Sequence, residues 1–154
     1  MSGAAVVALF VRYGMVLLFL PFSALDKVVG FGNALRQAES VFRTRAVAAA
    51  VLLTGLAIEV FCSLGVVTGV ADRASAVVIA GYCAATAFLF KRFWAAGDFW
   101  SDPNGKGRTL FWDFLKNLSL GAGFLLLVVG PNGTGLGAFV HHPLGSTHPY
   151  GGHP

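Results

Sequence analysis

AVAAAVLLTGLAIEVFCSLGVVTGV, residues 46–70, carries a single charged side chain, Glu59, along its whole length. A helix needs about 20 predominantly apolar residues to cross the ~30 Å hydrocarbon layer of a bilayer, so this stretch reads as a membrane span. The same signal recurs at residues 4–25, 71–90 and 109–130. In the third, Asp72 and Arg73 are expected at the headgroups. The first has Pro21, Ser23 and Ala24 where a cleavage site could stand, but no Lys or Arg precedes its apolar run, and it reads as an uncleaved span. The expected fold is all-α: an integral-membrane four-helix bundle over residues 1–130, followed by an extended Gly/Pro/His-rich tail over 131–154.

Composition agrees with that reading. Of 154 residues, 56% are hydrophobic and only 12% charged, about half the ~25% charge content of soluble domains. Mean hydropathy is +0.72. Too few charges are present to cover a water-soluble globule, which excludes an ordinary cytosolic enzyme. The net charge of +4 is not gathered into a basic face, so nucleic acid is not expected as a partner. Cys62 and Cys83 both lie in apolar runs without metal-ligand spacing, and are expected as free, buried thiols.

The basic residues instead report orientation. Lys27, Arg36, Arg43 and Arg45 flank or fill the first long loop, and Lys91, Arg92, Lys106 and Arg108 the second. The opposite side has only Arg73. Positively charged loops stay in the cytoplasm, which sets both termini outside. Within the first loop, Leu35, Ala38 and Phe42 recur at helical spacing, so Asn33–Phe42 reads as a short helix on the membrane surface. Trp94, Trp100 and Trp112 gather around the second loop, as rings at one headgroup layer do. Asp102, Pro103, Asn104 and Gly105 read as a turn, and the adjoining Gly105–Lys106 pair lacks the other residues of a phosphate loop.

Charges inside spans are costly and need partners. Arg12 and Glu59 each lie near the middle of a span, and consecutive antiparallel spans put them at similar depth, so they are expected to pair. Such a pair would fix helix register, or would make Glu59 a proton carrier or part of a polar pocket. Asp113, Lys116 and Asn117 share one helix face at i, i+3 and i+4, and with Asp26 and Lys27 could form a second polar cluster, suited to a quinone carbonyl or a lipid headgroup. Gly65 with Gly69, Gly81, and Gly121 with Gly123 mark expected close helix contacts. The tail histidines His141, His142, His148 and His153 are the candidate metal ligands. With so little apolar surface in the tail, order there is expected to come from another protein's surface.

Arg12 with Gly14, Lys27, "LAIE" at Leu56–Glu59, Gly65, Phe93–Trp94 and "FLKNLSLGAGFLLL" from Phe114 resemble the DoxX family over roughly residues 9–128. Two departures stand out: Lys91 occupies a place where the family often has His, and the His-bearing tail lies outside its pattern. The resemblance implies a small four-helix protein of the bacterial inner membrane, in which the loop charges set both termini in the periplasm. It implies an accessory subunit of a quinone-linked redox complex, with no intrinsic cofactor, a quinone or lipid as ligand and other membrane subunits as partners; the tail, by its composition and its side of the membrane, is expected on a periplasmic one. No span contains His, so no buried haem with His axial ligands is expected and the chain by itself is not expected to be catalytic. A small-molecule or lipid carrier, or a purely structural membrane subunit, are the alternatives.

Overall fold

In a computed structural model, residues 3–130 and 135–151 are described. All regular structure among them is helical. Four helical stretches are long and apolar enough to cross a membrane: Gly3–Val29, Arg45–Thr68, Asp72–Ala95 and Lys106–Val129. They run up and down, so both long loops lie at one end, and the start of the first helix and the described tail residues at the other.

Two of the four are interrupted. The first consists of α1 (Gly3–Val16), a wide turn at Leu18–Ser23 and α2 (Ala24–Val29). Leu20 leaves helical geometry (φ −123°, ψ 113°) because Pro21 follows it, and the ring crowds the α conformation of the preceding residue. The second consists of α4 (Arg45–Ala57), a π-helical turn at Ile58–Cys62 and α5 (Ser63–Thr68). Gly69 ends α5 at φ 80°, where a Cβ would be strained. The third and fourth are continuous, as α6 (Asp72–Phe90) and α7 (Lys106–Val129).

Close packing follows the small residues in part. Gly121 of α7 lies against α6, where a Cβ would stand 3.3 Å from both the Ala80 carbonyl and the Cys83 Cβ. Gly65 makes room for Ser75, and Gly123 faces Met15. Gly81, expected at a contact, faces open space, and Gly69 serves as a cap rather than a helix contact. The main core joins Val16, Phe19, Val66, Ile79, Cys83, Phe124 and Val128. Outward positions such as Phe10, Phe61 and Leu126 remain exposed and apolar, the pattern of a bundle whose exterior meets lipid.

The surface helix α3 spans Phe31–Glu39, two residues earlier at its start than expected and three at its end. Its apolar face is as expected. Leu35 and Ala38 are buried against Ala48 and Leu52 of α4, with Phe42 packed alongside. At the second loop, Phe93 is the centre of an aromatic cluster, its ring 5.1 Å from Trp94, 5.1 Å from Phe99 and 5.0 Å from Phe111. Asn104 N–H donates to Asp102 Oδ1 at 2.9 Å, closing the expected turn. Gly105 and Gly107 stand against Asp98, whose Oδ1 accepts the Gly107 N–H at 2.8 Å and caps α7.

The tail departs from the expected extended arm. Its described part forms α8 (Gly135–His141) and then folds back on the terminal end of its own bundle. Pro149 packs on Gly69. The Tyr150 hydroxyl donates to the Val67 carbonyl, one of the last-turn carbonyls of α5 that lack a helical partner.

Candidate functional site

Two polar clusters lie inside the bundle, and they separate the two residues expected to pair. Arg12 is bonded at the terminal end. Its Nη1 donates to Asp72 Oδ2 at 2.7 Å and to the Val66 carbonyl at 2.8 Å, and its Nη2 donates to Thr147 Oγ1 at 2.7 Å. Thr147 in turn donates its backbone N–H to Asp72 Oδ1 at 3.0 Å and its hydroxyl to Asp72 Oδ2. Asp72, expected among the headgroups, is fully buried.

The expected Arg12–Glu59 pair is therefore corrected, and the reason is depth. The first helical stretch overhangs the terminal end, which brings Arg12 level with Val66 and the start of α6. Glu59 comes seven residues before Val66 in its own helix, about 10 Å deeper at 1.5 Å per residue. The nearest carboxylate to Arg12 is then Asp72. Burying both charges is offset only when every donor and acceptor is satisfied, and Thr147 completes that set.

Glu59 forms the second cluster, halfway along the bundle. Its Oε1 accepts three hydrogen bonds: from Lys27 Nζ at 2.8 Å, Tyr82 OH at 2.8 Å and Ser23 Oγ at 3.0 Å. Lys27 Nζ also donates to Ser23 Oγ at 2.5 Å. Glu59 is only 2% exposed, while the Lys27 side chain is 21% exposed and reaches inward from the long-loop end. The two interrupted helices build this arrangement. Ser23 closes the wide turn in the first, and Glu59 sits in the π-helical turn of the second, a feature often found at functional sites. Gly55, one turn before Glu59, leaves space for the Tyr82 ring, since a Cβ there would stand 3.1 Å from Tyr82 Cε2.

One carboxylate oxygen of this cluster is left over. Glu59 Oε2 and the hydroxyl of Ser63, one turn on, are both buried without a hydrogen-bond partner among the described residues. A buried polar atom in that state costs about 1–3 kcal/mol, more for a charged group, and calls for an explanation. The cluster thus offers an ammonium, a phenol, a hydroxyl and an open carboxylate oxygen in one apolar interior. Chemically it can accept a proton or a hydroxyl donor at Oε2 and present donors to a carbonyl.

The other expected cluster is not assembled. Lys27 turns to Glu59, Asp26 is exposed, and Asp113 pairs with Lys91 at 3.1 Å. Lys116 lies 3.8 Å from Asp113 with its side chain 76% exposed, and Asn117 is half-buried beside it on α7. Among the described residues no three His, Cys, Asp or Glu side chains come together to hold a metal ion. His141, His142 and His148 are exposed, and His153 lies outside the described residues. Cys62 and Cys83 are free thiols.

Tyr82, Ser63, Gly55 and Thr147 were not singled out in the sequence, and Ser23 and Asp72 were read in other roles, at a cleavage-like stretch and among the headgroups. Two signals pointed to some of them: Ser23 lies four residues before Lys27, and Gly55 four before Glu59, each on the same helix face. No family model matches the chain, and no curated protein or solved structure matches it either.

Proposed function

We propose that the protein is a DoxX-like multi-pass protein of the bacterial inner membrane that serves as an accessory subunit of a quinone-linked redox complex. The observation that carries this reading is the open Oε2 of Glu59, buried beside Lys27 and Tyr82. Ionisable groups are kept inside a membrane mainly where they handle ions, protons or polar ligands. A quinol hydroxyl would donate to Oε2, and the donors now shared on Oε1 would turn to the carbonyl of the oxidised form. Electron transfer belongs to partner subunits in this reading. The exposed row Leu136, Val140 and Leu144 on and after α8 is then the part of the tail left to meet a periplasmic subunit.

The reading is tested with the full chain purified in native lipid, by titrating a short-chain quinol and following tryptophan fluorescence. Glu59→Gln and Tyr82→Phe should each weaken binding about tenfold or more, the loss expected for one charged hydrogen bond. Copurified redox subunits are expected from native membranes. Absence of quinol binding by the unaltered chain would refute the ligand, and purification without partners would refute the accessory role.

A carrier of a small molecule is the second reading, and the interrupted helices favour it. Discontinuous helices side by side around a mid-membrane polar site are how many transporters expose backbone and charge to a substrate. Uptake of a labelled solute into proteoliposomes would favour it over the first.

A further inference from the structure

At the long-loop end, between the last turn of α3 and the junction of α6 with the second loop, the surface opens into a groove of about 360 Å³. Lys91, Arg92 and Lys106 stand around it, Gln37 and Ser40 form its neutral polar edge, and apolar side chains including Leu110 form the rest. No acidic side chain lines it. Of the acids nearby, Asp113 pairs with the groove's Lys91 at 3.1 Å, while Glu39 is engaged with Arg45 at 3.8 Å and Asp98 with the start of α7. Arg92 and Lys106 are exposed, and among the described residues neither forms an ion pair.

We propose that this groove binds the phosphate headgroup of an anionic phospholipid. Three features converge on that ligand. The cations come from separate places in the fold, the end of α6 and the start of α7, and meet only in the tertiary structure. They stand where the apolar helices end, at the level that lipid phosphates occupy. Half of the groove is apolar, which suits the glycerol and first acyl carbons of a lipid and offers nothing to a free anion. The Gly107 N–H at the start of α7 is already taken by Asp98, and the phosphate is held by side chains. Arg92 can grip two phosphate oxygens at once and Lys106 acts as a point charge, while Lys91 stands beside them paired with Asp113.

This site is independent of the Glu59 cluster and of any quinone. The test uses the full chain in detergent micelles doped with phosphatidylglycerol or phosphatidylcholine, with retained lipid counted by native mass spectrometry. The unaltered protein should retain phosphatidylglycerol in preference. Arg92→Gln with Lys106→Gln should weaken that retention about thirtyfold, from the loss of two basic contacts. Arg36→Gln with Arg43→Gln removes the same charge from the same end but outside the groove, and should leave retention unchanged. Arg92→Lys with Lys106→Arg keeps the charges and should bind within a few fold of the unaltered chain. An equal loss in the Arg36/Arg43 control, no preference for phosphatidylglycerol, or inorganic phosphate binding as tightly as the lipid would each overturn the proposal.

Discussion

Asp72 is the residue on which the terminal end turns. It is fully buried at the first position of α6, and Arg12 and Thr147 together occupy both its oxygens. Breaking one partner of such a pair leaves a buried charge unmatched, a loss of about 3–5 kcal/mol, whereas replacing both with apolar groups is often tolerated. Arg12→Leu and Asp72→Leu are therefore each expected to lower stability by about that amount, and the double change by much less than the sum. Arg12→Leu combined with Glu59→Leu should instead add simply, because the two sites share no partner and lie about 10 Å apart in depth. Thermal inactivation of the detergent-solubilised variants measures both cycles. Additivity in the first, or strong coupling in the second, would restore the pairing expected from the sequence. That expectation had the right residues but the wrong partners, since residue counting along two helices assumes that both start at the same level.

Interruptions and caps decide how each element works. The breaks at Leu20 and at Ile58–Cys62 bring Ser23, Lys27 and Glu59 within hydrogen-bonding reach. Span lengths and the apolar face of α3 were legible from hydropathy and period. The π-helical turn was not, because one extra residue in a helical turn leaves no mark on composition. The caps lie between these cases: Gly105 was read only as part of a turn, yet it and Gly107 are the residues that let Asp98 approach α7. Asp98→Ala should cost about 1 kcal/mol, within the 0.5–2 kcal/mol known for helix caps. Hydrogen exchange localises the effect: the amides of Gly107 to Leu110 should exchange faster while those of α6 stay protected. Unchanged exchange there would show that Asp98 does not hold the end of α7.

Orientation is a property of the whole molecule. Eight basic residues flank or fill the two long loops against Arg73 alone on the opposite side, and cytoplasmic loops carry that excess. Ser101 and His142 are both exposed, one at each end. In a background of Cys62→Ala and Cys83→Ala, a membrane-impermeant maleimide added to intact cells should label His142→Cys and spare Ser101→Cys. The reverse pattern would invert the topology. That there are four long apolar helices, where each roughly lies, and the charge asymmetry of the loops followed from the sequence alone, because length and hydropathy act on each segment separately. Partners did not follow. Arg12 with Asp72 and Thr147, Lys27 with Glu59 and Tyr82, and Tyr150 on Val67 join positions up to 135 residues apart. The return of the tail onto its own bundle belongs to the same class. Which charge meets which depends on helix overhang, local breaks and the facing of side chains. These are fixed only when the helices pack, because a buried donor or acceptor takes whichever partner the packed bundle sets within reach.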